Sequence, residues 1–126
     1  MATSLKDMMA AARAAVPAIS PAEAAELVKS KDALLVDVRD GTEVAASGKA
    51  KGALAVSRGL LEFRADPESP ARSPEFRTDR PIVLYCGSGG RAALAGKTLK
   101  DLGYSDVRNV GGFKDWVQAG GEVEPG

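Results

Sequence analysis

The chain has 126 residues, a length that suits one domain, because two hydrophobic cores would leave each half too little apolar surface to bury. Lys and Arg number 17 and so do Asp and Glu, so no net charge draws the chain to nucleic acid or to an anionic membrane. The absence of His excludes imidazole bases and His-ligated metals, and the single Cys excludes internal disulfides and multi-cysteine metal sites.

The first segment, residues 1–16, is predicted to be an amphipathic helix, since Leu5, Met8, Met9 and Ala12 recur at helical spacing. An exposed apolar face on this helix could support a homodimer. No stretch approaches the ~20 apolar residues that cross a bilayer, and residues 1–16 lack the apolar core of a signal peptide. We therefore expect no membrane partner and a cytoplasmic location, with which a lone cysteine agrees.

Residues 17–124 are predicted to form the main domain. Ser20, Pro21 and Glu23 make a capping signal for a second helix that ends near Ser30. The nearly continuous apolar run 33–38 then predicts a strand that is covered on both faces, as in a parallel sheet. The next predicted elements are a short helix at 43–46, a strand at 53–56, helical turns at 60–65 and a proline-containing surface loop at 66–79.

The clearest strand–helix unit begins after that loop. An apolar strand at 82–85 is followed by a glycine-rich turn and by a helix at 91–102, for which Gly103 is the expected cap. The last predicted elements are a strand at 106–110, a helix at 113–119 and a polar tail at 122–126. This alternation predicts an α/β fold with a mainly parallel central sheet flanked by helices.

Cys86 lies at the carboxyl end of the strand 82–85, where ligands bind in open parallel sheets. The loop that follows consists of Gly87, Ser88, Gly89, Gly90 and Arg91. Its glycines let backbone N–H groups turn inward as an anion-binding nest, and the helix N terminus adds the positive end of its dipole. These features favour a thiolate, and Arg91 would close the loop or add a positive charge. The competing interpretation, a small apolar plug at a strand end, gives the glycine-rich turn little purpose.

Four segments, in the order of the sequence, resemble motifs of the rhodanese family. Residues 35–39 resemble its Asp-x-Arg strand end, and residues 51–56 are similar to a degraded form of its His-Ile-Pro-Gly-Ala segment. Residues 86–91 match its active-site loop, and residues 110–116 match its C-terminal Gly-Gly-aromatic-x-x-Trp signature. Several motifs in the right order are far more specific than any one of them.

The resemblance implies a single rhodanese-like domain and a sulfurtransferase without a cofactor. The Cys86 thiolate would attack the sulfane sulfur of a small anionic donor such as thiosulfate, which leaves a persulfide on the enzyme. Cyanide or a thiol would then accept the outer sulfur. Backbone N–H groups from Gly87 to Arg91 would bind the persulfide anion.

Two other classes of function stay open. In the first, Cys86 carries a persulfide for a partner, or senses oxidants, without turnover. The second is a phosphatase or arsenate reductase of the same fold, but such phosphatases use a Cys-x5-Arg loop, and Cys86 to Arg91 is Cys-x4-Arg. The donor is open as well, because Gly87 stands where thiosulfate-preferring relatives often carry Arg, and the Cys-Gly-Ser-Gly start resembles 3-mercaptopyruvate sulfurtransferases.

Asp37, Arg39 and Arg58 are further candidates for the pocket. Asp37 and Arg39 end a predicted strand at the same sheet edge as Cys86, where they either shape the pocket floor or stabilise the fold by hydrogen bonds. Arg58 precedes the Leu/Phe cluster at 60–63 and would attract an anionic donor if that segment covers the pocket.

Overall fold

The computed structural model describes residues 2–126. In chain order its helices are α1 (Leu5–Ala15), α2 (Pro21–Lys31), α3 (Gly41–Ser47), α4 (Leu61–Ala65), α5 (Gly90–Asp101) and α6 (Phe113–Gln118). Its strands are β1 (Leu34–Asp37), β2 (Lys49–Ala50), β3 (Leu54–Ala55), β4 (Ile82–Cys86), β5 (Val107–Gly112) and β6 (Val123–Glu124). A 3-10 turn, Arg58–Leu60, leads into α4.

The central sheet has four strands in the order β3-β1-β4-β5, and every neighbouring pair is parallel. Strands β1 and β4 are buried along their whole length, because helices cover both faces of the sheet. The register places Asp37 beside Tyr85 and Cys86 beside Gly112, so the carboxyl ends of three strands meet at one edge. The predicted α/β fold with a mainly parallel central sheet is confirmed.

The first two helices begin at hydrogen-bonded caps. The Ser4 and Ser20 hydroxyls accept N–H bonds from Asp7 and Glu23, whose carboxylates accept bonds from the two serine N–H groups in return. Helix α1 packs closely on α5. A Cβ atom on Gly96 of α5 would lie 2.8 Å from a methyl group of Val16, the residue at the C-terminal end of α1.

The apolar side chains at the start of α1 stay uncovered in this structure. Leu5 is 62% exposed and Met8 is 44% exposed, whereas Ala12 on the same helix is buried. The homodimer that this face could support therefore stays a prediction. None of the helices in residues 2–126 combines the length and the apolar character needed to cross a bilayer.

The segment 122–126, predicted only as a polar tail, contains a short strand. Strand β6 pairs antiparallel with β2, a strand that the sequence did not predict. The Trp116 indole N–H donates to the Glu122 carbonyl at 2.8 Å, and the Glu124 carboxylate accepts the N–H of Gly52 and contacts the Lys49 ammonium. This pairing joins the C-terminal end of the chain to the segment between β1 and β3.

The segment 66–79, predicted as a surface loop, has one buried side chain. Phe76 is buried and packs edge-on against Tyr104, with ring centroids 6.2 Å apart. The Tyr104 hydroxyl in turn donates to the Ala65 carbonyl at 2.7 Å. One aromatic side chain therefore anchors the loop to the core beside α5.

Candidate active site

Cys86 is the last residue of β4, and its Sγ atom accepts a hydrogen bond from the Gly89 N–H at 2.9 Å. Gly89 has a φ of +103°, a left-handed conformation that glycine adopts without steric cost, and it caps the start of α5. The turn thus brings one main-chain N–H and the positive end of a 12-residue helix to the sulfur. Cys86 is only 1% exposed, although Gly87 and Ser88 directly after it are exposed.

Strand β5 holds this loop from the side. The Asn109 amide donates to the Gly89 carbonyl at 3.1 Å and accepts the Gly111 N–H at 2.8 Å. Gly112 lies so close to the loop that a Cβ atom on it would come well within 3.0 Å of the Gly87 carbonyl oxygen. Sequence reasoning missed Asn109, because an Asn in a strand gives no sign of a contact twenty residues earlier in the chain.

The Arg91 guanidinium forms a bidentate ion pair with Glu43, with N–O distances of 2.6 and 3.0 Å. The Glu43 carboxylate also accepts the Asp40 N–H at 3.2 Å, so it caps α3 as well. The hydrogen bonds from Arg91 lower the pKa of Glu43 to about 2 and raise the pKa of Arg91. A Cβ atom on Gly87 would lie 3.0 Å from this guanidinium, so the pair adjoins the peptide that follows Cys86.

Glu43 is a site residue that sequence reasoning also missed. The spacing of Asp40 and Glu43 is typical of a helix start, and nothing in it indicates a partner 48 residues further along the chain. The sequence expectation for Arg91 offered two roles, closure of the loop or an added positive charge. The ion pair gives Arg91 contact with the loop, but Glu43 neutralises its charge.

Asp37 and Arg39 belong to a buried network beside the loop. Their side chains are 2.7 Å apart, and the Tyr85 hydroxyl donates to Asp37 at 2.6 Å while it accepts the Ala50 N–H at 2.9 Å. Burial and the bond to Asp37 raise the pKa of Tyr85. Arg39 also donates to the Gly48 carbonyl at 2.7 Å. These are the hydrogen bonds of the fold-stabilising alternative, because they join β1, β4 and the segment after α3.

Arg58 makes its side-chain contacts away from the loop. Within residues 2–126, its guanidinium donates to Glu62 at 2.9 Å and to the Thr98 hydroxyl at 3.0 Å. Thr98 lies eight residues past the start of α5, which is ~12 Å along the helix axis. The structure therefore brings residues 86–91 together with Glu43, and it leaves Arg58 about two helical turns away.

A cavity of about 370 Å³ opens at the carboxyl ends of β1 and β3. Its walls include Arg39, Val44, Val56, Leu60 and Arg64. Val56 follows β3, two strands from β4, so this wall lies on the order of 10 Å from Cys86 across the sheet. Within the described residues no cluster of three or more acidic or cysteine side chains is arranged to hold a metal ion.

The chain is an α/β domain with a cysteine and a glycine-rich turn at the carboxyl edge of its parallel sheet. The family model of the Rhodanese-like domain matches residues 20–119, and the chain is a member of that family. Its relatives include proteins named for sulfur transfer, so the chain is a rhodanese-like domain with sulfurtransferase homologues.

Three comparisons illustrate these likenesses. The chain is 36% identical to a sulfurtransferase of Allochromatium vinosum over 95 residues, which are 75% of this chain and 80% of the relative. It is 31% identical to the human thiosulfate:glutathione sulfurtransferase over 112 residues, covering 83% of this chain and 96% of the relative. A solved protein of unknown function from Rhodopseudomonas palustris, described as a possible tyrosine phosphatase, superposes with a TM-score of 0.88 at 39% identity, covering 98% and 96%.

Proposed function

We propose that this protein transfers a sulfane sulfur from an anionic donor such as thiosulfate to cyanide or a thiol through a persulfide on Cys86. The observation that carries the proposal is the position of the Cys86 Sγ atom, 2.9 Å from the Gly89 N–H at the N terminus of α5. Main-chain dipoles aimed at a sulfur stabilise a thiolate, and they stabilise equally the anion of a sulfur bonded to it. A chain without His has no imidazole to activate the thiol.

In the first half of the reaction, the thiolate attacks the sulfane sulfur of thiosulfate. A bond forms between Sγ and that sulfur, and the bond between the two sulfur atoms of thiosulfate breaks. The electron pair of the broken bond leaves with sulfite, and the enzyme holds a persulfide anion. The Gly89 N–H, which lies 2.9 Å from Sγ, would donate to the persulfide anion.

In the second half, a thiophile attacks the outer sulfur of the persulfide. Cyanide takes that sulfur as thiocyanate, and a thiolate takes it as a new persulfide. The bond between the outer sulfur and Sγ breaks, and its electron pair returns to Sγ as the thiolate. No cofactor enters either half of this cycle, and the cysteine ends as it began.

A donor reaches Sγ only if the loop opens, because Cys86 is 1% exposed. We expect the exposed residues Gly87 and Ser88 to shift away from Sγ as the donor arrives. Asn109 holds Gly89 and Glu43 holds Arg91, so the start of α5 stays in place during this shift.

The alternative reaction is hydrolysis of a phosphate ester, since one of the similar structures is described as a possible tyrosine phosphatase. That reaction needs an acid to protonate the leaving oxygen. The six-residue loop from Cys86 to Arg91 contains no carboxyl group. Glu43, which binds Arg91 beside the loop, has a pKa of about 2 and stays ionised at neutral pH, so it is not that acid. These observations favour sulfur transfer, which needs no such acid.

The experiment is intact mass spectrometry after incubation with thiosulfate. We expect a gain of about 32 Da, the mass of one sulfur, which disappears when cyanide is added. Cys86→Ser must abolish the gain, and Ser105→Ala, at an exposed serine, serves as a surface control that must retain it. Absence of the gain in the folded protein would refute the proposal.

Steady-state assays then separate the remaining alternatives. Repeated formation of thiocyanate from thiosulfate and cyanide indicates an enzyme, whereas one sulfur loaded per chain without turnover indicates a carrier or a redox sensor. Release of phosphate from an aryl phosphate, lost in Cys86→Ser, would indicate the phosphatase instead.

A further inference from the structure

The side chains around the Cys86 loop carry no net positive charge. Arg91 is paired with Glu43, and Arg39 is paired with Asp37. Two more carboxylates lie nearby: Asp115, whose Oδ2 accepts the Gly112 N–H at 3.1 Å, and Asp40 at the start of α3. The main-chain N–H groups are therefore the part of the site that attracts an anion.

The ligands of such a loop differ chiefly in charge. Thiosulfate and a phosphate monoester carry two negative charges, whereas a persulfide of a small neutral thiol carries one at most. Each added charge on a ligand meets the repulsion of any carboxylate beside the loop. Glu43 stays ionised at every physiological pH, since its pKa lies at about 2.

We infer that Glu43 is a specificity-determining residue, which neutralises Arg91 and so selects against dianions in favour of sulfur donors that carry one negative charge or none. The inference rests on the proposed function, and among the donors of that function it favours the persulfides of small thiols over thiosulfate. The thiolate would attack the outer sulfur of such a donor, the bond between its two sulfurs would break, and the thiol would leave as its thiolate. Glu43 acts through Arg91 and the local field, and it does not touch the reacting atoms.

The size of the effect follows from Coulomb's law. A unit charge at ~6 Å in water-like surroundings changes binding by about threefold per ligand charge, or ~0.7 kcal/mol. A dianion should then gain about tenfold when Glu43 is neutralised, and a monoanion about threefold. Both Glu43 and Arg91 are more than a third exposed, so the dielectric of water is the appropriate one.

Two alkylating reagents test this inference without any sulfur chemistry. Iodoacetamide is neutral and iodoacetate is a monoanion, but both react with the same thiolate of Cys86. The ratio of the iodoacetate rate to the iodoacetamide rate is therefore independent of the reactivity of the thiolate and reports the local charge. We expect Glu43→Gln, which keeps a hydrogen-bond acceptor for Arg91, to raise the iodoacetate/iodoacetamide ratio about threefold.

Two control variants separate charge from structure. Glu43→Asp keeps the charge and should leave the ratio near that of the wild type. Asp106→Asn removes the carboxylate of a matched arginine pair, Asp106–Arg108, whose exposure is similar but which lies at the amino end of β5. An equal rise in either control, or no rise in Glu43→Gln, would overturn the inference.

A donor comparison completes the test and distinguishes the inference from the proposed function. In Glu43→Gln, kcat/KM for thiosulfate should rise about threefold more than kcat/KM for hydroxyethyl persulfide. A shifted reagent ratio without sulfur loading from either donor keeps the inference and refutes the proposed function. If neither reagent alkylates the folded wild type, both fail, because a site that admits no small reagent selects none.

Discussion

The contact between β5 and the loop makes Gly112→Ala the most direct probe of the site. The new Cβ atom would point at the Gly87 carbonyl oxygen and would also crowd Asp115. Real Cβ atoms essentially never approach another atom within 3.0 Å, so the Gly87 peptide must retreat by more than half an ångström. A shift of the Gly87 peptide moves the turn that follows Cys86, because Cys86 is paired with Gly112 at the end of the two strands.

The magnitude follows from the rigidity of both partners. The nearest obstructing atoms belong to the main chain of Gly87, in the loop after β4, and cannot rotate away as a long side chain would. Overpacking of this kind costs about 1–3 kcal/mol in the free energy of unfolding. A displacement approaching 1 Å at reacting groups reduces rates by up to ~10²-fold. We therefore expect a modest loss of stability and a much larger loss in the rate of sulfur loading.

Urea unfolding measures the first quantity, and mass spectrometry of the persulfide after timed mixing with thiosulfate measures the second. Gly59→Ala is the matched control, because a Cβ atom on Gly59 would meet nothing within 4 Å. That variant should stay within about 0.5 kcal/mol of the wild type and load sulfur at the same rate. If Gly112→Ala behaves like Gly59→Ala in both assays, the close approach of strand and loop has no bearing on the site.

Three further predictions concern the contacts around the loop. Tyr85→Phe should cost about 2–4 kcal/mol in urea unfolding, because the buried Asp37 carboxylate loses one of its hydrogen bonds and the buried Ala50 N–H loses its acceptor. Tyr104→Phe should cost only about half as much, since one bond is lost; equal losses would contradict this. Asn109→Ala should lower the free energy of unfolding by roughly 1–3 kcal/mol, because the Gly89 carbonyl loses its hydrogen bond from the Asn109 amide. It should also speed alkylation of Cys86; an unchanged alkylation rate would show that the loop keeps its conformation without Asn109. Glu43→Gln should destabilise the protein at pH 7. The difference in unfolding free energy between this variant and the wild type should disappear as the pH falls from about 5 towards 2, because the wild-type carboxylate is then protonated. A difference in urea midpoint that stays constant with pH would exclude an ionic contribution.

The central sheet was predictable because its signals are local. The run 33–38 is apolar except for Asp37, and the run 82–85 is apolar throughout; each contains or forms part of a strand that is buried along its whole length. The glycines after Cys86 indicated a turn with inward-facing N–H groups, and the structure records the Gly89 N–H on the sulfur. Both signals lie within a few residues of the structure that they specify.

The parts of the molecule that the sequence did not reveal depend on contacts between distant segments. The ion pair of Glu43 and Arg91 spans 48 residues, and the bond from Gly52 to Glu124 spans 72. A two-residue strand such as β6 has no periodicity, so only its partner identifies it. The sequence alone predicts only a packing role for the Tyr85 side chain. Its hydrogen bond to Asp37 forms only when β1 and β4 are paired.

Charged side chains and main-chain dipoles have separate roles at this site. Arg39 and Arg91 are each bound to a carboxylate of their own, so they fix β1, α3 and the loop in place and leave little charge for a ligand. In the proposed function, the attraction for an anion comes from the Gly89 N–H and the N terminus of α5, which the left-handed Gly89 directs at the sulfur. These dipoles attract each negative charge of a ligand, whereas the Glu43 carboxylate offsets the attraction of Arg91 for each of them. Removal of the Glu43 charge should therefore favour a dianionic donor over a monoanionic one by about threefold.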